Sequence, residues 1–239
     1  MKQFTVISAF IFCLLFANGQ DWIEFVPTES TKTQYNVIQS NDTVVEFEVT
    51  IPGMFNTTID TFNRVNIKKH TRLDSVGFPE VPIVSFIVAI PQCDSVYMDV
   101  NLLDSASISD INIYPAPRLV PDTTAGGAVA LVEQFEYDRD AYSTDAWFPG
   151  YCAETIDKGA IREQNCVRVL MYPVQFNPVT KTVNAFSGFK FTLTFQNPSG
   201  PVNENVGIFN EVVGNSLINY NSNGLNASVN CGTGLENIS

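Results

Sequence analysis

The sequence has a single histidine and few basic residues: 13 Lys and Arg stand against 25 Asp and Glu, which gives a formal net charge of −12. The basic residues are spread over the whole length and form no stripe, which argues against nucleic-acid binding. No Cys-x-x-Cys motif occurs, and a single histidine argues against a zinc site. We expect no metal and no cofactor. What the chain does have is 45% apolar and 12% aromatic residues, enough for a packed core.

Residues 1–19 are predicted to be a signal peptide rather than part of the fold. Lys2 precedes an apolar run over residues 4–16, and the small residues Ala17 and Gly19 then stand at −3 and −1 of a cleavage site. The run is shorter than the roughly 20 residues that cross a bilayer, and we expect no membrane span. The sequence predicts a protein that is secreted, periplasmic or on the cell surface after cleavage. Its fold should occupy residues 20–220, followed by a loose tail over residues 221–239, which are rich in Asn, Ser and Gly.

Removal of the signal peptide would leave four cysteines: Cys93, Cys152, Cys166 and Cys231. An even number in an exported chain predicts disulfides, with three possible pairings. Cys152 and Cys166 flank a predicted hairpin or loop, which makes them the favoured pair. By default Cys93 would then pair with Cys231.

Alternation of apolar and polar residues predicts strands along most of the chain. The clearest hairpin joins a strand over residues 167–176 to one over residues 182–195 through a turn that begins at Asn177 and Pro178. Strands of this density, separated by Pro- and Gly-bearing turns, favour an all-β antiparallel sandwich. One short helix is predicted near the C-terminus, where four apolar residues recur at helical spacing: Phe209, Val212, Val213 and Leu217.

Tests for an active site favour a protein without catalytic residues. His70 lies in a polar stretch and is expected to be an exposed loop residue, and a Cys–His dyad would need a free cysteine. The acidic segment around Asp138 is expected to be a solvated loop rather than a calcium site. The aromatic side chains of Trp147 and Phe148 are candidate contacts for a glycan or a partner protein. An exported adhesion or glycan-binding module is therefore one hypothesis for the function.

Three stretches resemble the N-terminal prodomain of the gingipain family of secreted cysteine peptidases. They are Gly-Phe-Pro-Glu-Val-Pro-Ile-Val-Ser at 77–85, Ala-Trp-Phe-Pro-Gly at 146–150 and Tyr-Pro-Val-Gln-Phe-Asn-Pro-Val-Thr-Lys-Thr at 172–182. The likeness extends over roughly residues 47–220. It implies a non-catalytic β-sandwich that assists folding of the peptidase and keeps it latent. The implied partner is the peptidase catalytic domain, in the same polypeptide or as a separate chain.

The resemblance also implies that a loop after a middle strand places a basic side chain in the active-site pocket of the peptidase. The corresponding loop covers residues 115–127, where Arg118 is the only basic residue, and a strict match lies nearer Thr124. Arg118 is the candidate plug, and a solvated loop cation is the alternative. No Lys or Arg follows Lys190, so the C-terminal region offers no cleavage site to a peptidase that requires either residue.

Overall fold

The computed structural model of the protein describes residues 20–122 and 130–220. The predicted signal peptide (1–19) and tail (221–239) lie outside these residues. In chain order the strands are β1 (Asp21–Glu24), β2 (Gln34–Ser40), β3 (Val44–Thr50), β4 (Gly53–Ile59), β5 (Phe62–Asn66), β6 (Thr71–Arg72), β7 (Pro82–Ala89), β8 (Ser95–Ile108), β9 (Arg118–Pro121), β10 (Leu131–Gln134), β11 (Ala153–Ile161), β12 (Gln164–Met171), β13 (Val174–Asn177) and β14 (Thr182–Gln196). Two short helices are α1 (Arg139–Ser143) and α2 (Asn210–Gly214).

The longest strand, β14, is the centre of a five-stranded antiparallel sheet. β8 pairs along the whole of one edge of β14, while β13 and then β3 share the other edge, with β2 beyond β3. Side chains alternate along β14, so that every second one is buried on the predicted apolar face and the ones between lie on the outer face of the sheet. The buried side chains are Phe189, Phe191, Leu193 and Phe195.

A second sheet packs on this buried face and contains β11, β12, β7 and β6 in that order. Phe86 of β7 meets Phe47 of β3 and Phe191 of β14 edge-on, with ring centroids 5.5 and 5.6 Å apart. Edge-to-face packing of this kind is favourable for aromatic rings. The predicted antiparallel sandwich is confirmed, and its core lies between these two layers.

The strand predicted over residues 167–176 is in fact two strands in different sheets. β12 ends at Met171 in the second sheet, and β13 begins at Val174 in the first. The chain crosses between layers at Tyr172 and Pro173, where proline has no N–H to donate to a ladder. The turn after β13 forms as predicted: Asn177 Oδ1 accepts hydrogen bonds from the N–H groups of Val179 (3.0 Å) and Thr180 (3.2 Å).

The C-terminal segment covers the outer face of the second sheet. A 3₁₀ turn (Gly207–Phe209) leads into α2, which confirms the predicted short helix. Val213 and Leu217 form a small apolar cluster with Ala89 and Cys166. Within residues 20–122 and 130–220, no helix is long and apolar enough to cross a membrane.

Helix α1 was not predicted, because its five residues are too few to show a periodic apolar pattern. It begins where Asp138 Oδ1 accepts a hydrogen bond from the N–H of Ala141 at 2.9 Å. This contact is a standard N-cap. The acidic segment that was expected to be a solvated loop is therefore in part the start of a helix.

The predicted Cys152–Cys166 disulfide is absent, because Cys93, Cys152 and Cys166 are free thiols. Cys166 pairs with Gly159 in the β11–β12 hairpin, whereas the N–H of Tyr172 donates to the carbonyl of Cys152. The two cysteines are thus six residues apart along the hairpin, about 20 Å at the rise of a strand. A disulfide needs Cα atoms within about 7 Å. Cys231, the predicted partner of Cys93, lies outside the described residues.

Candidate functional site

Strands β9 and β10 form a two-stranded ribbon that belongs to neither main sheet. It pairs from Arg118↔Gln134 to Pro121↔Leu131, and the N–H of Asp122 donates to the carbonyl of Ala130 at 2.7 Å. Leu119 and Leu131 are 60% and 61% exposed. A ribbon of two strands has little stability of its own, and clustered exposed apolar side chains mark a surface that contacts another molecule.

A network of ion pairs joins the ribbon to the body of the sandwich. Arg64 Nε donates to Glu80 Oε2 at 2.9 Å, and Arg64 Nη2 donates to Glu133 Oε2 of β10, also at 2.9 Å. The Glu80 side chain is only 9% exposed, and its other oxygen lies 3.0 Å from Arg72 Nε. Burial alone would lower the pKa of Arg64, but its bonds to Glu133 and Glu80 raise it. Arg64 therefore stays charged and links a buried carboxylate to the ribbon.

An aromatic cluster holds the segment that follows β10. The ring of Phe135 lies 5.8 Å from that of Phe62 and 5.7 Å from that of Tyr114, and Tyr137 stacks on Tyr142 of α1 at 4.5 Å. The Tyr142 hydroxyl donates to the carbonyl of Ile113 at 2.7 Å, and burial raises its pKa. The ribbon is thus fixed at its base by both ion pairs and aromatic packing.

Arg118, the candidate plug, is the first residue of β9 and lies at this base. Its guanidinium binds both carboxylate oxygens of Glu136, with Nε–Oε2 at 2.6 Å and Nη2–Oε1 at 2.8 Å. The hydrogen bonds lower the pKa of Glu136 and raise that of Arg118. Glu136 lies two residues beyond Gln134, the strand partner of Arg118, so the guanidinium is directed away from the Pro121↔Leu131 end of the ribbon. Thr124, the other candidate, lies outside the described residues.

A cleft of about 400 Å³ separates the ribbon from the body. Leu119 of the ribbon forms one wall and Val76 the other. Its charged lining includes Arg72, Asp74, Glu80 and Glu133. The cleft therefore combines apolar walls with groups that fix orientation by hydrogen bonding, a combination typical of binding surfaces.

Trp147 and Phe148, the predicted aromatic contacts, differ in exposure. The backbone of Phe148 exchanges two hydrogen bonds with Phe176, at 2.8 and 2.9 Å, and its half-buried ring lies 5.8 Å from that of Phe78. Trp147 is 41% exposed, and Trp147 and Phe148 both line a cavity of about 160 Å³ together with Phe78. Trp147 is thus the more exposed of the two, whereas Phe148 is held by backbone pairing and ring packing at the cavity wall.

The segment 76–78 brings the ribbon cleft and the Trp147 cavity onto neighbouring parts of the surface. Val76 lines the cleft, Phe78 lines the cavity, and the N–H of Gly77 between them donates to the carbonyl of Ala116 at 2.9 Å. The sequence marked Trp147 and the loop at Arg118 as separate features. It gave no signal for Arg64 or Glu133, because their contact joins residues 69 positions apart.

His70 was expected to be exposed in a loop, but it is half-buried. Its Nε2 lies 3.0 Å from Thr33 Oγ1, and burial lowers its pKa. The expectation failed because local polarity does not reveal that the segment ahead of β2 packs over this position. The hydrogen bond to Thr33 gives His70 a structural role.

Comparison with protein-family models matches residues 29–227 to Propeptide_C25. The chain belongs to this family. The match confirms the resemblance to gingipain prodomains and the prediction of a propeptide domain rather than a catalytic one. A comparison with curated proteins gave no match.

Two solved structures share the fold of this Propeptide_C25 chain. One is a complex of the pro- and mature domains of RgpB from Porphyromonas gingivalis, with a TM-score of 0.65 and 18% identity over 79% of this chain and 98% of that one. The other concerns the zymogenic latency of gingipain K from the same organism, with a TM-score of 0.59 and 17% identity over 74% and 98% of the two chains. At these identities the likeness establishes the all-β fold.

Proposed function

We propose that the chain is the latency-conferring inhibitor and folding assistant of a gingipain-like secreted cysteine peptidase, and that the β9–β10 ribbon enters the active-site cleft. The observation that carries this proposal is the ribbon itself, whose apolar side chains are exposed and whose base is fixed by Arg64 and the aromatic cluster. A preorganised element loses little conformational entropy on binding. Membership of a propeptide family and the likeness to a pro–mature complex support the same conclusion.

The proposed inhibition is by occupancy. An extended ribbon offers the peptidase a substrate-like backbone, and the apolar side chains of Leu119 and Leu131 exclude water around it. Trp147 adds a second contact on the neighbouring surface. The partner is a catalytic domain in the same polypeptide or in a separate chain, and both arrangements require export, which the predicted signal peptide would provide.

The two candidate plug residues imply different peptidases. Arg118 would suit an acidic specificity pocket, and it would exchange the carboxylate of Glu136 for one in that pocket. Both groups are well exposed and are screened by solvent, so this exchange costs less than breaking a buried ion pair would. Thr124 stands in Thr-Thr-Ala-Gly-Gly-Ala-Val at 123–129, which contains no charge and would suit a small neutral pocket.

Inhibition constants measured for residues 20–239 against gingipain-type peptidases of different specificity test the ribbon. We expect Leu131→Asp to weaken inhibition by about a hundredfold, because it places a charge in an apolar contact. Ile208→Asp is the matched control, since Ile208 is 91% exposed on the 3₁₀ turn, and it should leave inhibition within about twofold. A wild-type chain that inhibits none of these peptidases would contradict the proposal.

Arg118→Ala and Glu136→Gln, measured in the same assay, show whether Arg118 enters the specificity pocket of the peptidase or only stabilises the ribbon through its ion pair with Glu136. A plug predicts a loss of about thirtyfold for Arg118→Ala, and unchanged or tighter inhibition for Glu136→Gln because that change frees the guanidinium. Equal losses for both variants would show that the ion pair only shapes the ribbon. Both side chains are exposed, so the variants should fold as the wild type does.

The folding role has its own measurement. The denatured peptidase is refolded with and without an equimolar amount of residues 20–239, and the recovered activity is titrated after the propeptide has been removed. We expect a higher yield with the propeptide, because a bound native-like partner stabilises the folded state by mass action. Equal yields would contradict a role in folding and leave inhibition as the function.

A further inference from the structure

Strand β8 lies at the edge of the five-stranded sheet and is hydrogen-bonded along one side only. It pairs with β14 from Ser95↔Gln196 to Ile108↔Val183. Within residues 20–122 and 130–220, no strand pairs with its other side. Val96, Met98 and Val100 pack on the core, whereas the residues between them face solvent. A strand of 14 residues therefore presents free N–H and C=O groups to solvent.

The other edges of the two sheets are better protected against strand addition. β2 has a bulge between Val37 and Gln39, β11 has one between Ile156 and Lys158, and β6 has only two residues. Bulges and short length are the usual ways in which proteins block edge pairing. β8 has two register shifts against β14, one on each side of Asp104, but its stretch Ser95–Leu102 pairs without interruption, and the strand contains no Pro, Lys or Arg. It is thus the longest edge open to a further strand within the described residues.

The charge of β8 indicates what would bind there. Residues 94–117 contain four aspartates and no Lys or Arg, and two of these, Asp99 and Asp104, are exposed on β8 itself. Lys190 of β14 lies opposite Asn101, but its Nζ is 3.9 Å from Glu46 of β3. Lys158 donates to the backbone carbonyls of Cys93 and Asp94, ahead of the strand. Asp99 accepts a hydrogen bond from Asn101 Nδ2 at 3.0 Å and Asp104 accepts one from the N–H of Ser105 at 2.8 Å, but within the described residues neither carboxylate is in an ion pair. Their negative charge is therefore not neutralised and can attract a basic partner.

Neither the other segments of this chain nor a second copy of it carries the positive charge that would complement the aspartates of β8. Residues 123–129 contain no charged residue, residues 221–239 contain a single Glu and no Lys or Arg, and residues 1–19 contain one Lys. A second copy would bring another net charge of −12 and the same aspartates. Like charges on neighbouring strands are destabilising, and opposite charges are favourable.

We propose that β8 is a docking edge for an extended segment of a partner protein that carries Lys or Arg residues and adds a strand to the sheet. Main-chain hydrogen bonds would supply the affinity, and the basic side chains would lie beside Asp99 and Asp104. This docking edge does not rest on the ribbon or on inhibition of a peptidase.

The test uses residues 20–239 and a fluorescent synthetic peptide of alternating lysine and threonine, long enough to span Tyr97 to Ser107, with fluorescence anisotropy as the readout. A second peptide has the same sequence but is N-methylated at alternate residues, so that it keeps its charge and cannot pair with a strand. We expect the first peptide to bind, and the second to bind at least about tenfold more weakly. Hydrogen exchange should show new protection on β8 with the first peptide only.

A double variant, Asp99→Lys with Asp104→Lys, should weaken binding of the first peptide at least about tenfold. Glu29→Lys with Asp42→Lys makes the same change in net charge at two exposed residues off β8 and should leave binding within about twofold. Absence of binding, equal binding of the two peptides, or equal losses for the two double variants would each overturn the proposal. Dimerisation through β8 in sedimentation would replace the proposed partner with a second copy and overturn it too.

Discussion

The side-chain amide of Asn219 forms hydrogen bonds with both the N–H and the carbonyl of Ala89, a residue 130 positions earlier in the chain. Its Oδ1 accepts from the N–H of Ala89 at 2.7 Å, and its Nδ2 donates to the carbonyl of Ala89 at 3.0 Å and to Ser40 Oγ, also at 3.0 Å. Ser40 ends β2 in one sheet, whereas Ala89 ends β7 in the other. One buried amide therefore ties the two layers to the C-terminal segment.

Asn219→Ala should destabilise the fold by about 3 kcal/mol, because it leaves two buried backbone groups without partners. Urea unfolding followed by circular dichroism measures the difference. Asn215→Ala, an exposed position at the end of α2, is the control and should stay within about 0.5 kcal/mol of wild type. Similar losses for both variants would show that the cost comes from the C-terminal helix and not from the bonds to Ala89.

Glu80→Ala should cost about 3–5 kcal/mol, because it leaves Arg64 and Arg72 without their shared buried carboxylate. Glu133→Ala removes the other partner of Arg64, but Glu133 is half-exposed, so its loss should cost about 1 kcal/mol or less. Thermal unfolding of both variants checks the difference. If Glu80→Ala proved as mild as Glu133→Ala, the buried network would not stabilise the fold.

Stability should fall as the pH drops through the ordinary titration range of histidine. Burial lowers the pKa of His70 in the folded state, so below about pH 6.5 the unfolded chain binds a proton that the folded chain does not. The free energy of unfolding should continue to fall until the pH reaches the lowered pKa of His70 in the folded state. Urea unfolding at pH 7.5 and 5.5 measures it, and His70→Gln should reduce the difference between the two conditions. If the stability of His70→Gln depended on pH as strongly as that of the wild type, the effect would come from other titratable groups.

The thiols of Cys93, Cys152 and Cys166 should react slowly with a disulfide reagent in the native protein, because burial raises the pKa of each. The buried Cys166 should be the slowest and the half-buried Cys93 and Cys152 faster. Alkylation followed by peptide mass mapping locates each modified cysteine, and denaturant should make the three react equally fast. A peptide pair linking Cys152 to Cys166 would contradict the register of the β11–β12 hairpin.

Local patterns predicted the parts of the fold that local chemistry determines. The alternation from Phe189 to Phe195 gave the buried face of β14, and the Asn177 turn formed because an Asn side chain binds N–H groups two and three residues ahead. The disulfide prediction failed because the cysteine count carries no information on register. The single strand over residues 167–176 failed because an apolar run does not show that its two halves lie in different layers.

The candidate site was harder to predict because its contacts are long-range. The loop at Arg118 could be located by resemblance, but its pairing as a ribbon and its anchor to Glu80 through Arg64 depend on packing between distant segments. Trp147 and Phe148 are adjacent and chemically alike, and only the backbone pairing of Phe148 with Phe176 distinguishes the exposed ring from the packed one.

The position of β14 sets the order in which the sandwich can assemble. It pairs with β3 and β8, both made much earlier, and its Thr192 bonds to Glu46, 146 residues upstream, at 3.4 Å. Contacts of such separation form slowly because the intervening chain must first be closed into a loop. A ribosome that has released everything up to β13 has therefore made a chain that still lacks its central strand. The first sheet can be completed only after the ribosome has also released β14.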